Sequence, residues 1–154
     1  MNLNETIAHQ DPVIQVEFIA IAGDFPRVYR PLFLESVSAG FPSPADDYID
    51  QPLDLNELLV VNPPATFFVR AHGLSMIDVG IYPGDILTVD RSEEAVHGSI
   101  VIAYLNGEMT MKELSLFPRP RLIPRNADYE PIELTDNDDF EIIGKVRGLV
   151  RVFK

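Results

Sequence analysis

The chain has 154 residues, enough for one domain or one domain with an arm, and its 46% hydrophobic content can supply a buried core. Its formal net charge of −12 sets the surface against phosphate backbones, so direct nucleic-acid binding is not expected. The lack of cysteine excludes disulfides, thiolate catalysis and Cys-ligated metals and fits a cytoplasmic location, while no apolar run is long enough to cross a membrane and no secretory pattern opens the chain.

Residues 1–39 differ from the rest. They are apolar in patches without a long helical period, net acidic, and broken at Gly23, Pro26 and Pro31. Val13 to Ala22 reads as one strand, and the whole segment as an extended arm that docks on something else. It offers no helix-turn-helix. "AGFPSPADDYIDQP" reads as an exposed connection. "LDLNELLVV" predicts one short helix, with Asp54 as N-cap, Glu57 three residues on, and Pro63-Pro64 as its end.

Beyond Pro64 the pattern is β. "ATFFVRA", "DILTVD", "SIVIAYL", "EMTMKEL", "RLIP" and "FEIIGKVRGLVRVFK" are short β-branched or aromatic runs, separated by "YPGD", "VHGS", "LNGE", "PRNADY" and "TDNDD". Asn106-Gly107 is a two-residue hairpin signal. The fold expected is mainly β: a compact antiparallel domain with one short helix, preceded by the arm. Thirteen prolines suit that better than a helical bundle.

In "HGLSMID", Ser75 sits between small and apolar neighbours just after an apolar strand. Three histidines are present. His72, at the strand end, is expected to point away from Ser75, and His97 reads as a turn residue. No HExxH, His cluster, GxGxxG or P-loop appears, so neither metal nor cofactor is expected. A lysine can replace histidine as base only when neutral, and with an ordinary pKa of ~10.4 it then needs an apolar site. Lys112 in "EMTMKEL" fits. Alternation puts Thr110, Lys112 and Leu114 on one face and Met111 and Glu113 on the other.

"HGLSMIDVGIYPGDILTVDR", "VHGSIVIAYLNGEMTMKEL" and "LIPRNADYEPIEL" together resemble the LexA/UmuD family of self-cleaving serine peptidases, over a stretch from about Pro31 to the C-terminus. The resemblance implies a LexA/signal-peptidase-like β domain, Ser75 as nucleophile and Lys112 as base, at the separation that the family pattern requires. It places the cleaved bond between Ala39 and Gly40, so that 1–39 is removed and 40–154 is the peptidase-like domain. The backbone N–H groups of Leu74 and Ser75 would hold the oxyanion. It further implies a homodimer, cleavage promoted by a RecA–ssDNA filament in the SOS response to DNA damage, and a processed form acting with a UmuC-type Y-family DNA polymerase in translesion synthesis. The alternative is a LexA-like or phage-type self-cleaving regulator without a DNA-binding domain. His72 and Glu113 depart from the family pattern, which usually has a small polar residue and a Lys or Arg there.

Overall fold

The computed structural model describes residues 16–21, 27–33 and 49–154. Within them, strands β1 (Val16–Ile21), β2 (Arg30–Phe33) and β3 (Ile49–Leu53) precede helix α1 (Leu55–Leu59). Then follow β4 (Thr66–Ala71), β5 (Ile86–Asp90), β6 (Ile100–Leu105), β7 (Glu108–Ser115), β8 (Arg121–Ile123), β9 (Ile132–Glu133) and β10 (Phe140–Val150).

Eight strands form one antiparallel sheet in the order β1-β4-β5-β10-β6-β7-β8-β9, and β2 pairs with β3 in a second, two-stranded sheet. The mainly β architecture with one short helix is as expected. β10 lies between β5 and β6, and its register slips between Ile142 and Gly144 against one and between Val146 and Gly148 against the other. Gly144 sits where the backbones crowd: a Cβ there would lie 2.6 Å from Val89 Cγ1 and 3.0 Å from the Asp90 carbonyl oxygen.

Apolar side chains cover both faces. Phe67, Val69, Leu87, Val89, Ile102 and Met111 share one cluster, while Val101, Ala103, Leu114 and Leu122 form another. Neighbours in β6 thus go to opposite cores, which is why "IVIA" is a continuous apolar run rather than an alternating one.

The helix starts as predicted: Asp54 accepts from the N–H groups of Asn56, at 2.7 Å, and Glu57. Its end differs. It stops at Leu59, and Pro63-Pro64 opens a separate 3-10 turn, consistent with proline's fitness for a first helical turn. Asn106, with φ of 50°, and Gly107 make the β6–β7 hairpin turn.

Of the strand expected over 13–22, the described part is β1, which pairs with β4 at the edge of the main sheet. Other segments depart from the sequence reading. Residues 49–52, read as exposed connection, and Leu53 form β3; Pro52 is accommodated because β3 has one partner strand among the described residues. The last strand ends at Val150, short of Lys154. Among the described residues no helix is long and apolar enough to cross a membrane.

Candidate active site

Ser75 owes its place to a loop, not to a strand. β4 ends at Ala71, and the chain turns through Gly73, whose φ of 78° is in the left-handed region that favours glycine. A 3-10 turn over Ile77–Val79 follows. Met76, 1% exposed, packs into the first core cluster with Ile81 and anchors the loop from the residue next to the serine.

The other side of the loop is gripped by the segment after β8. The Arg125 N–H donates to the Ser75 carbonyl at 2.7 Å, and the Asp78 N–H donates to the Arg125 carbonyl at 2.8 Å. Asn126 Nδ2 donates to the Leu74 carbonyl at 2.9 Å, which also receives the Ile77 N–H at 3.3 Å. In a planar trans peptide the N–H points opposite to the C=O. Fixing these two carbonyls therefore fixes the direction of the N–H groups of Ser75 and Met76.

Lys112 arrives from β7, opposite Val101 in register. Its Nζ lies 3.2 Å from Ser75 Oγ, 2.8 Å from Thr110 Oγ1 and 3.1 Å from the Met111 carbonyl. The contact with Thr110 puts both side chains on the face that alternation predicted. Ser75 is 2% exposed and Lys112 3% exposed, so both side chains are buried. Burial works against a charged ammonium, and a neutral amine at this distance can accept a hydroxyl proton.

His72, just beyond β4, is half-buried; the group found 3.2 Å from Ser75 Oγ is the lysine amine. His97 lies in a turn, where its Nδ1 accepts the Leu116 N–H at 3.1 Å and its ring is 5.6 Å from that of Phe117. The Ala39–Gly40 bond and His9 lie outside the described residues. Among the described residues no group of three or more His, Asp or Glu side chains is placed to hold a metal ion.

Reasoning from sequence missed Arg125 and the fate of Glu113. The Arg125 guanidinium grips the Glu113 carboxylate with both Nε, at 2.6 Å from Oε2, and Nη2. That hydrogen bond holds the guanidinium above its ordinary pKa. The pairing of Glu113 with Ile123, the last residue of β8, brings Arg125, in the bend just beyond that strand, within reach of Glu113.

A family profile described as Peptidase S24-like matches residues 31–147. The protein MucA of Salmonella typhimurium is 50% identical over 117 residues, which are 75% of this chain and 80% of that protein. The protein ImpA of Shigella flexneri is 56% identical over 95 residues, 62% of this chain and 66% of that one. The LexA repressor of Stenotrophomonas maltophilia is 39% identical over 137 residues, 88% of this chain and 64% of the repressor.

Proposed function

The chain belongs to the Peptidase S24-like family, the LexA/UmuD group of self-cleaving serine peptidases, and from that premise we propose that Ser75 and Lys112 form its catalytic dyad and that its substrate is its own Ala39–Gly40 bond. The observation that carries this reading is the 3.2 Å approach of Lys112 Nζ to Ser75 Oγ in a buried site.

Neutral Lys112 takes the Ser75 proton, and Oγ attacks the carbonyl carbon of Ala39. A neutral amine has two N–H donors and one lone pair. Thr110 Oγ1 and the Met111 carbonyl lie where they can accept the two donors, leaving the lone pair to receive the Ser75 O–H. The backbone N–H groups of Leu74 and Ser75 hold the oxyanion. The ammonium then gives its proton to the leaving amine of Gly40, and water releases residue 39 from the serine. Because the substrate is tethered, proximity supplies a large part of the rate. The products are 1–39 and the domain 40–154.

In this reading the protein is a homodimeric component of SOS mutagenesis, cut when a RecA–ssDNA filament seats the arm in the cleft, and the cut form assists a UmuC-type Y-family polymerase in translesion synthesis. The family resemblance supports those roles, and the similarity to MucA and ImpA accords with them. Mass spectrometry of the purified protein, incubated alone, tests the chemistry. A product beginning at Gly40 should accumulate from wild type and from His72→Ala, and not from Ser75→Ala or Lys112→Ala. Cleavage of Ser75→Ala at the wild-type rate would remove the serine from the mechanism.

A further inference from the structure

The two reacting groups come from different elements. Ser75 rides on a loop after β4, and Lys112 is fixed in β7. Something has to hold the loop at the right height over the strand, since an error of about 1 Å between reacting groups can cost a hundredfold in rate. One residue touches both sides. The backbone of Arg125 bonds the serine loop twice, through Ser75 and Asp78. Its side chain clamps Glu113, the neighbour of Lys112. The path from nucleophile to base therefore runs Ser75 carbonyl, Arg125 N–H, Arg125 guanidinium, Glu113 carboxylate, Lys112 backbone.

Geometry suits this role. A guanidinium meeting a carboxylate through two parallel bonds fixes angle as well as distance, which a single contact does not. The Glu113 side chain is 17% exposed and that of Arg125 42% exposed, so the clamp has one sheltered partner and one wet one. A pair so placed contributes little to global stability, whereas its effect on alignment has no such discount. Asn126 follows immediately and takes the Leu74 carbonyl. Movement of Arg125 would thus also turn the peptide planes that aim the N–H groups beside the serine.

We propose that Glu113 and Arg125 are a positioning pair that sets the distance between Ser75 and Lys112. This rests on the Ser-Lys reading above. It also gives a physical role to the carboxylate that stands where the family usually has a cation: in this chain the bridging cation comes from the facing segment instead.

The test uses the full chain and two readouts, the first-order rate of self-cleavage and the rate at which a fluorophosphonate probe labels Ser75. The probe reports serine activation without needing the arm to be seated. Arg125→Met and Glu113→Gln should each slow both rates about tenfold or more, with near-wild-type thermal midpoints. The charge-swapped double variant Glu113→Arg, Arg125→Glu should recover most of the loss. Should Arg125→Met fold poorly, Glu113→Gln, which keeps shape and removes charge, carries the same test. Wild-type rates in Glu113→Gln, or a swap no faster than the single variants, would overturn the proposal. Failure of the Ser-Lys reading is a different result: equal labelling of wild type and Ser75→Ala.

Discussion

At the scale of single residues, the proposed chemistry turns on the proton count of one amine. Lys112 is 3% exposed, and only its neutral form can accept the serine proton. Burial penalises the charged form. The sign follows: self-cleavage without any activator should accelerate as rising pH converts the Lys112 ammonium to the amine. Mass spectrometry over a pH series checks it, and a rate that falls with rising pH would contradict a neutral lysine base. In the sequence, Ser75 among small and apolar neighbours and Lys112 in an apolar strand were each a weak signal alone; their proposed roles came from the family resemblance, and the structure brings the two side chains within 3.2 Å. Arg125 carried no such signal. Its partner lies across the β7–β8 pairing, and a register cannot be read from residues that have not yet been paired.

At the scale of elements, the loop that follows the serine is closed by a tie between two neighbouring strands. Asp85 precedes β5 and Arg151 follows β10, and the pairing of Ile86 with Val150 brings them together. The Asp85 carboxylate accepts from Arg151 Nε and Nη2, each at 2.6 Å, and from the Tyr82 N–H at 2.8 Å. Arg151 also donates to the Gly80 carbonyl at 2.7 Å and stacks over Tyr82 at 4.7 Å. The Arg151 bond, outweighing burial, holds the Asp85 carboxyl below its ordinary pKa. A depressed carboxylate contributes stability above its unfolded-state pKa of ~3.9, and that stability is lost as pH falls through the folded value. Arg151→Ala should therefore lower the urea midpoint at pH 7, by an amount that solvent screening keeps small because the guanidinium is partly wet. Urea midpoints of the two proteins should converge as the pH drops below ~4. A difference that persists undiminished in acid would assign the effect to packing on Tyr82 instead. Elements with local punctuation were the ones the sequence revealed: Asp54 marked α1 and Asn106-Gly107 marked the hairpin. β3 was hidden because Pro52 argues against a strand unless only one edge is paired. β9 was hidden because two residues show no period.

At the scale of the whole molecule, the proposed cut falls between segments that are paired across it. β1 and β2 lie on the 1–39 side, and their partners β4 and β3 lie on the 40–154 side. Side chains add to the strand pairing: the Val28 N–H donates to Asp54 Oδ2 at 2.5 Å, Tyr29 Oη donates to Glu57 Oε1 at 2.9 Å, and Arg27 pairs with Glu57. Breaking one peptide bond removes none of these bonds. It removes the tether, which turns the arm's docking from an intramolecular event into a concentration-dependent one. The cut arm is therefore expected to stay on the domain at first and to leave on dilution. Its departure, rather than the cut, would bare the edge of β4, the strand that leads to Ser75, and an unpaired strand edge is a template for pairing with another chain. Native mass spectrometry of freshly cleaved protein should show 1–39 and 40–154 as a one-to-one complex that dissociates as the sample is diluted. Glu57→Ala should shift that dissociation by only a few-fold, since exposed ion pairs contribute little beside the strand pairing. Free 40–154 as the sole species immediately after cleavage, at the concentration where the reaction was run, would show that the strands do not hold the arm once its tether is gone.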